Sequence, residues 1–227
     1  MQLELKHVYP GTVRGGKRTL GGNQRTLNDK TLQHCGCGAV AATDLVRYLH
    51  LYHDGCRTDF FCGIPEEREL PIPVYDLCVK RMRRRFVPVT YPLGTTGFAL
   101  AIGLNRYFRS YEIPLKARWG VGKDEIWQEI GRMLADDLPV ILSVGNQFPR
   151  FWRKDGAAVQ RCVGDTMQDA GQIHAHYVTV LEMDDQRLRI SSWGKEYYLK
   201  KEEFLRYRTY ESLSLLCNIV SIRRLNT

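Results

Sequence analysis

The chain has no apolar run long enough to cross a bilayer. Its best stretches, Val140-Ile141-Leu142-Ser143-Val144 and Ser214-Leu215-Leu216-Cys217-Asn218-Ile219-Val220, fall well short of the roughly 20 residues a membrane helix needs. The opening Met1-Gln2-Leu3-Glu4-Leu5-Lys6 lacks the basic-then-apolar pattern of a secretory leader. Seven cysteines stand without regular pairing, which argues against a disulfide framework and for a reducing compartment, so a cytoplasmic location is expected. No zinc-finger, RNP or helix-turn-helix pattern occurs. Gly103, Gly120 and Gly122 do not make the Gly-x-x-x-x-Gly-Lys-Ser/Thr spacing of a phosphate loop. Specific nucleic-acid binding and a bound cofactor are therefore not expected, nor is a membrane anchor. There is no internal repeat and no convincing linker, so residues 1–227 read as one domain.

What is present suits an enzyme-sized fold. A chain of 227 residues with 44% hydrophobic content can bury a full core. The net charge of +8 favours acidic partners by long-range steering. Its densest basic run, Lys80-Arg81-Met82-Arg83-Arg84-Arg85, spreads around a helix and reads as a solvated face. The most informative stretch is Gln33-His34-Cys35-Gly36-Cys37-Gly38-Ala39-Val40-Ala41-Ala42. Val40, Ala41, Leu45, Tyr48, Leu49 and Tyr52 follow at helical spacing and make one stripe, with Asp44, Arg47 and His50 off it. Cys37 then sits at the start of a helix over 36–53, where free backbone N–H groups and the helix dipole favour a thiolate nucleophile.

Two further segments complete a constellation. His174-Ala175-His176-Tyr177-Val178-Thr179-Val180 puts an imidazole at the head of a β-branched run, and Ile190-Ser191-Ser192-Trp193-Gly194 follows one hairpin later. Cysteine, distant histidine, then a polar residue before Trp-Gly is the chain order of papain-like cysteine peptidases. The nucleophile segment from Gly36 to Leu45 resembles the Cys-Gly-x-x-Ala of C39-like bacterial peptidases. His176-Tyr177-Val178-Thr179-Val180 resembles their His-Tyr-Val-Val-Val strand, and Ser191-Ser192-Trp193-Gly194 is similar to the Asn-Ser-Trp-Gly of papain. The matched frame runs from residue 33 to about 200.

The resemblance implies a catalytic Cys37, a general base His176, a third member at Ser191 and an oxyanion-hole amide at Gln33. Two departures from the family pattern stand out. Thr31, not glutamine, lies six residues before Cys37, with Gln33 four before it. Ser191 replaces the Asn or Asp that orients the imidazole, and its hydroxyl would accept from Nδ1–H; Ser192 and Asp184 are alternatives. Cys35 remains an alternative nucleophile, and His174 and His34 alternative bases. The implied chemistry is thiolate attack on a carbonyl, an acyl-enzyme, and transfer to water as a peptidase or to an amine as a transglutaminase-like acyltransferase. A non-catalytic relative is a third reading. So is a zinc protein using Cys35, Cys37, His174 and His176.

The implied fold is α+β: a surface arm over 1–32, a helical lobe over 33–136 and an antiparallel β lobe over 137–227, with the site between the lobes. Helices are expected at 74–85, from Thr95 through Phe108, and at 123–135. Strands are expected at 139–145, 176–183, 187–193, 195–200 and 213–224. The segment from Asn146 to Ile173, with Phe148, Arg150, Phe151, Trp152, Arg153 and Lys154, reads as a long loop feeding into His176 and touching the substrate. The substrate that the resemblance implies is a peptide or protein, and the net charge of +8 favours an acidic one.

Overall fold

The computed structural model describes residues 2–122, 124–153 and 155–225. The architecture is α+β, with six α-helices and a wholly antiparallel nine-stranded sheet among the described residues. In chain order the strands are β1 (Leu3–Glu4), β2 (Gly11–Arg14), β3 (Lys17–Arg18), β4 (Glu69–Pro71), β5 (Leu115–Trp119) and β6 (Val140–Val144). They continue with β7 (Ala157–Val163), β8 (Thr166–Ile173), β9 (His176–Met183), β10 (Arg187–Ser192), β11 (Lys195–Lys200) and β12 (Ile219–Arg224). The helices are α1 (Lys30–Cys35), α2 (Cys37–Tyr52), α3 (Ile72–Arg85), α4 (Gly97–Ser110), α5 (Ile126–Ala135) and α6 (Lys201–Arg206).

The large sheet runs β5-β12-β6-β9-β10-β11-β7-β8. Strand β9 is its centre. It pairs with β6 from Val180 to His176 and with β10 from Met183 to Thr179. Beyond the reach of β6, the short β1 takes over that edge, with Leu3 opposite Met183. Two strands that precede Val140, β1 at the N-terminus and β5 within the expected helical lobe, thus join the sheet otherwise built from residues 140–224. A smaller sheet, β3-β2-β4, includes the parallel pair β2 and β4.

Several expected elements form where the periodicity placed them, and others do not. The 1–32 arm is not a plain loop: β2 and β3 make a hairpin around Gly15-Gly16, both at positive φ (54° and 76°), a turn glycine enters without strain. The 146–173 segment is largely the β7–β8 hairpin, whose β7 pairs with β11 through Gln160 and Tyr198. Its strands alternate too weakly in polarity to stand out from a loop, since most of their residues face solvent. The strand expected at 213–224 begins only at Ile219, after the turn at Ser214–Leu216. The helix expected from Lys123 starts at Ile126, and Lys123 itself lies outside the described residues, as does Lys154.

Helix α2 departs from the expected amphipathic pattern. From Gly38 to His50 every residue is buried, including Asp44, Arg47 and His50. The reason is its position between the sheet, α3 and the N-terminal segment, so each polar side chain needs an internal partner. Asp44 accepts from the Gly22 N–H (2.8 Å) and the Tyr75 hydroxyl (2.6 Å). Arg47 donates to the Glu67 carbonyl, and His50 Nδ1 accepts from the Thr58 N–H (3.0 Å).

Asp44 couples this burial to pH. Its carboxyl is pushed up from 3.8 to about 6, because burial outweighs the two donors and the Arg47 charge. A folded-state value above the unfolded one means that the neutral acid favours the fold. That contribution is complete below about pH 4 and disappears as pH rises through about 6. Asp44→Asn keeps the shape without the charge. In thermal melts the variant should gain on the wild type as pH rises from 4 to 7.5. A melting-temperature difference that stays flat across that range would show that Asp44 is ionised throughout.

Candidate active site

Two helices meet head to tail at Gly36. It caps the C-terminus of α1 and the N-terminus of α2, donating to Leu32 O and accepting from the Val40 N–H, both at 2.9 Å. A Cβ at Gly36 would overlap the Leu32 carbonyl, so this junction needs glycine. Cys37 is therefore the first residue of α2, where backbone N–H groups lack helical acceptors. Gly38 lets α2 approach β9 closely, for a Cβ there would lie 3.3 Å from Thr95 Cβ and 3.4 Å from the Tyr177 ring.

Cys37 lies partly exposed on a cleft of about 730 Å³, and His176 lines the same cleft. His176 opens β9 opposite Val144 and follows Ala175, a non-glycine residue in left-handed conformation (φ 47°). Its Nε2 is 2.9 Å from Ser192 Oγ. Trp193 stacks on the imidazole with ring centroids 4.3 Å apart at 15°. Trp193 (φ 49°) and Gly194 (φ 74°) are the two central residues of the β10–β11 turn, closed by Ser192 and Lys195. Positive φ at both positions is what a two-residue hairpin of this twist requires. Glycine meets it freely; Trp193 meets it under strain, and that strained backbone holds the indole over the ring. The Arg25 guanidinium lies 5.0 Å from the Trp193 ring.

Burial sets the electrostatics. It pushes the Cys37 thiol up, against the N–H groups of Tyr177, Gly38 and Cys37 itself, which pull it down. It pushes the His176 imidazolium down to about 3, helped by the nearby charges of Arg25 and His174. Both shifts favour the neutral forms of a thiol and an imidazole that line the same cleft. Burial thus works against the thiolate expected from the helix dipole, since desolvation is a larger influence on the thiol than the N–H donors.

The other expected site residues fall into place unevenly. Ser191 is not the ring's partner. Adjacent strand residues point to opposite faces, and Ser191 pairs with Thr179 and donates to Leu20 O (2.7 Å). Ser192 holds the ring instead, at Nε2 rather than the expected Nδ1, which leaves Nδ1 as the remaining ring nitrogen. Asp184 sits in the β9–β10 turn, accepting from the Gln186 and Arg187 N–H groups, away from the ring. Gln33 borders the cleft, but its amide donates to Leu27 O (2.5 Å). Gln24 is the glutamine that lines both this cleft and a small cavity of about 20 Å³ behind it, shared with Cys37, Asp44, His176, Ser191 and Ser192. Its Nε2 donates to the carbonyls of Gln33 (3.0 Å) and His34 (3.3 Å), while its buried Oε1 has no partner. Sequence reasoning missed Gln24, because a fixed six-residue offset from the cysteine does not reach it; its only local signal is Gly21-Gly22-Asn23 just before it.

Cys35 is buried at the end of α1 and its thiol donates to Thr31 O (3.2 Å). His174 borders the cleft, and His34 Nδ1 lies 2.7 Å from Lys30 O. Among the described residues no group of three or more His, Cys, Asp or Glu side chains is placed to hold a metal ion, so Cys35, Cys37, His174 and His176 do not form a tetrahedral set. The 146–173 segment contributes Asn146 to the cleft lining but no residue of the β7–β8 hairpin. The expected substrate-contacting flap is thus a hairpin on the far edge of the sheet.

Because burial is the main cause of the low His176 value, uncovering the ring should raise it. Trp193→Ala is expected to move the His176 titration, read from its ring signals by NMR, up toward the ordinary value near 6.5. An unchanged titration would assign the shift to the surrounding charges alone. Comparison of the chain with family models, with curated proteins and with solved structures finds no match, and the reading of this site rests on its own residues.

Proposed function

We propose that the protein is a cysteine peptidase of papain-like organisation, resembling the C39-like enzymes. The observation that carries this reading is that Cys37, at a helix N-terminus, and His176, at the head of the central strand, line one cleft. Ser192 fixes the far ring nitrogen. The helical segments before the antiparallel sheet are in keeping with that family's frame.

The chemistry follows from the neutral resting pair. As a substrate carbonyl approaches, the Cys37 Sγ–C bond forms while the thiol proton passes to His176 Nδ1, so charge separates only in the reacting complex. Ser192 Oγ accepts a hydrogen bond from Nε2–H and so keeps the ring in the tautomer with Nδ1 free to act as base. The oxyanion meets the Cys37 N–H at the helix N-terminus, while Gln24, its amide N–H groups held by the Gln33 and His34 carbonyls, braces the end of α1 beside the cleft. His176 then returns its proton to the leaving amine, the C–N bond breaks, and an acyl-enzyme remains. Water, deprotonated by His176, releases the acid and restores the thiol.

Three features support the wider setting. All seven cysteines are free thiols, as suits a reducing compartment such as the cytoplasm. No helix among the described residues is long and apolar enough to cross a membrane. The cleft volume suits a peptide segment.

Cleavage of a mixed peptide library, followed by mass spectrometry, tests the proposal. Cys37→Ala should abolish turnover and His176→Ala reduce it at least about 10²-fold. Ser192→Ala should cost about 10-fold, since a neutral hydrogen bond contributes about 1 kcal/mol, while Ser191→Ala should leave turnover nearly unchanged. Undiminished cleavage by Cys37→Ala would overturn the assignment. Products joined to an added amine, in place of free acids, would make the protein an acyltransferase on the same scaffold.

A further inference from the structure

We propose that the cleft selects peptides carrying a carboxylate beside Arg25 and an apolar side chain seated on Phe98, Trp119 and Leu215, with the scissile bond between them. The inference rests on the peptidase reading and names its substrate class.

The first observation is charge. No aspartate or glutamate occurs among the described residues lining the cleft, whereas Arg25, His34 and His174 all do. Arg25 is exposed and has no carboxylate partner among the described residues. Several arginines elsewhere are paired: Arg83 with Asp29, Arg132 with Glu129 and Asp136, Arg189 with Glu182 and Glu196, Arg206 with Glu203. Arg25 is nevertheless not loose, because its guanidinium sits 5.0 Å from the Trp193 ring, which itself stacks on His176. A cation held by an aromatic face, next to the reacting pair and free of a protein anion, is a ready partner for a substrate carboxylate.

The second observation is polarity along the cleft. In the sheet order β5-β12-β6-β9-β10-β11, His176 on β9 stands in the middle. On one side lie Trp119 at the end of β5 and Leu215 in the turn before β12, joined by Phe98 at the start of α4. Phe98 and Leu215 are 54% and 57% exposed, and Phe98 meets Trp119 edge-on with centroids 6.5 Å apart. On the other side lie Trp193 and Arg25. The reacting centre therefore separates an apolar seat from a cationic one.

Recognition and chemistry would then be linked. The Arg25 charge is the second cause, after burial, of the low basicity of His176. A carboxylate docked on Arg25 offsets that charge, and so strengthens the base when the thiol must give up its proton. Neutral peptides leave Arg25 uncompensated. Acidic peptides should therefore gain in kcat as well as in KM.

The test uses quenched fluorescent peptides with one shared apolar residue and three arms. One carries a Glu side chain and an amidated C-terminus, the second Gln and a free C-terminal carboxylate, the third Gln and an amidated C-terminus. Wild-type protein should cleave one of the first two at least about 10-fold more efficiently than the third, the preference shrinking with added salt; which arm wins identifies the carboxylate as a side chain or a chain end. Arg25→Gln should level the arms, and Arg25→Glu should favour a Lys-bearing analogue. Phe98→Ala should lower cleavage of all three without changing their ranking. Cleavage with no preference among the arms, or a preference untouched in Arg25→Glu, would overturn the inference and leave the peptidase reading standing. If no arm is cleaved, anisotropy binding of the same peptides to Cys37→Ala separates the two ideas. Carboxylate-dependent binding lost in the Cys37→Ala, Arg25→Glu double variant would uphold the recognition and reject hydrolysis, and equal binding of all arms would reject both.

Discussion

The close approach of two backbones, the first turn of α2 and the first residues of β9, is the constraint on which the site depends. Glycine is required for it at one point and eases it at another. Gly36 lets α1 end and α2 begin within one residue, and Gly38 lets the new helix lie against the Tyr177 ring and Thr95. Tyr177 in turn ties β9 to the segment before α4 by donating its hydroxyl to Thr95 O (3.0 Å). With that contact set, Cys37 and His176 share one cleft wall without either residing on a long loop. Rigid elements hold such geometry more precisely than loops do.

The same closeness explains the electrostatics. A site framed by a helix buried on all sides, the central strand and a stacked indole has little water around its charges. Desolvation then dominates both members of the pair, raising the thiol and lowering the imidazole. What polarity there is comes from fixed donors and cations: the N–H groups at the head of α2, the Tyr177 N–H, and Arg25. Two left-handed non-glycine residues, Ala175 and Trp193, flank the ring in the chain and across the next turn. Two of the four left-handed non-glycine residues among the described ones therefore adjoin His176, the other two being Glu112 and Asp137.

The helices and the central strands were legible because they repeat with a clear period. Val40, Leu45 and Leu49 mark α2, and the β-branched run after His176 marks β9. The burial of Asp44, Arg47 and His50 was not, because a polar residue on a helix reads as solvated until its partner, here Gly22, Glu67 or Thr58, is seen across the fold. The β7–β8 hairpin escaped for the opposite reason: its exposed strands carry no apolar alternation. At the candidate site, the places of Cys37 and His176 at the starts of α2 and β9 were legible. Ser192 and Gln24 were not. The first depends on which face of β10 meets the ring, a one-residue matter that motif alignment places at Ser191. The second reaches the cleft from the N-terminal segment by tertiary packing alone.

The central claim is that Cys37 is the thiol activated by His176 within this cleft. Treating the native protein with a peptidyl acyloxymethyl ketone, then locating the adduct by mass spectrometry of the digest, tests it most directly. The account predicts one adduct, on Cys37, that is absent from His176→Ala and from urea-unfolded protein. An adduct on Cys35, or equal labelling of the exposed Cys62 and Cys162, would contradict it.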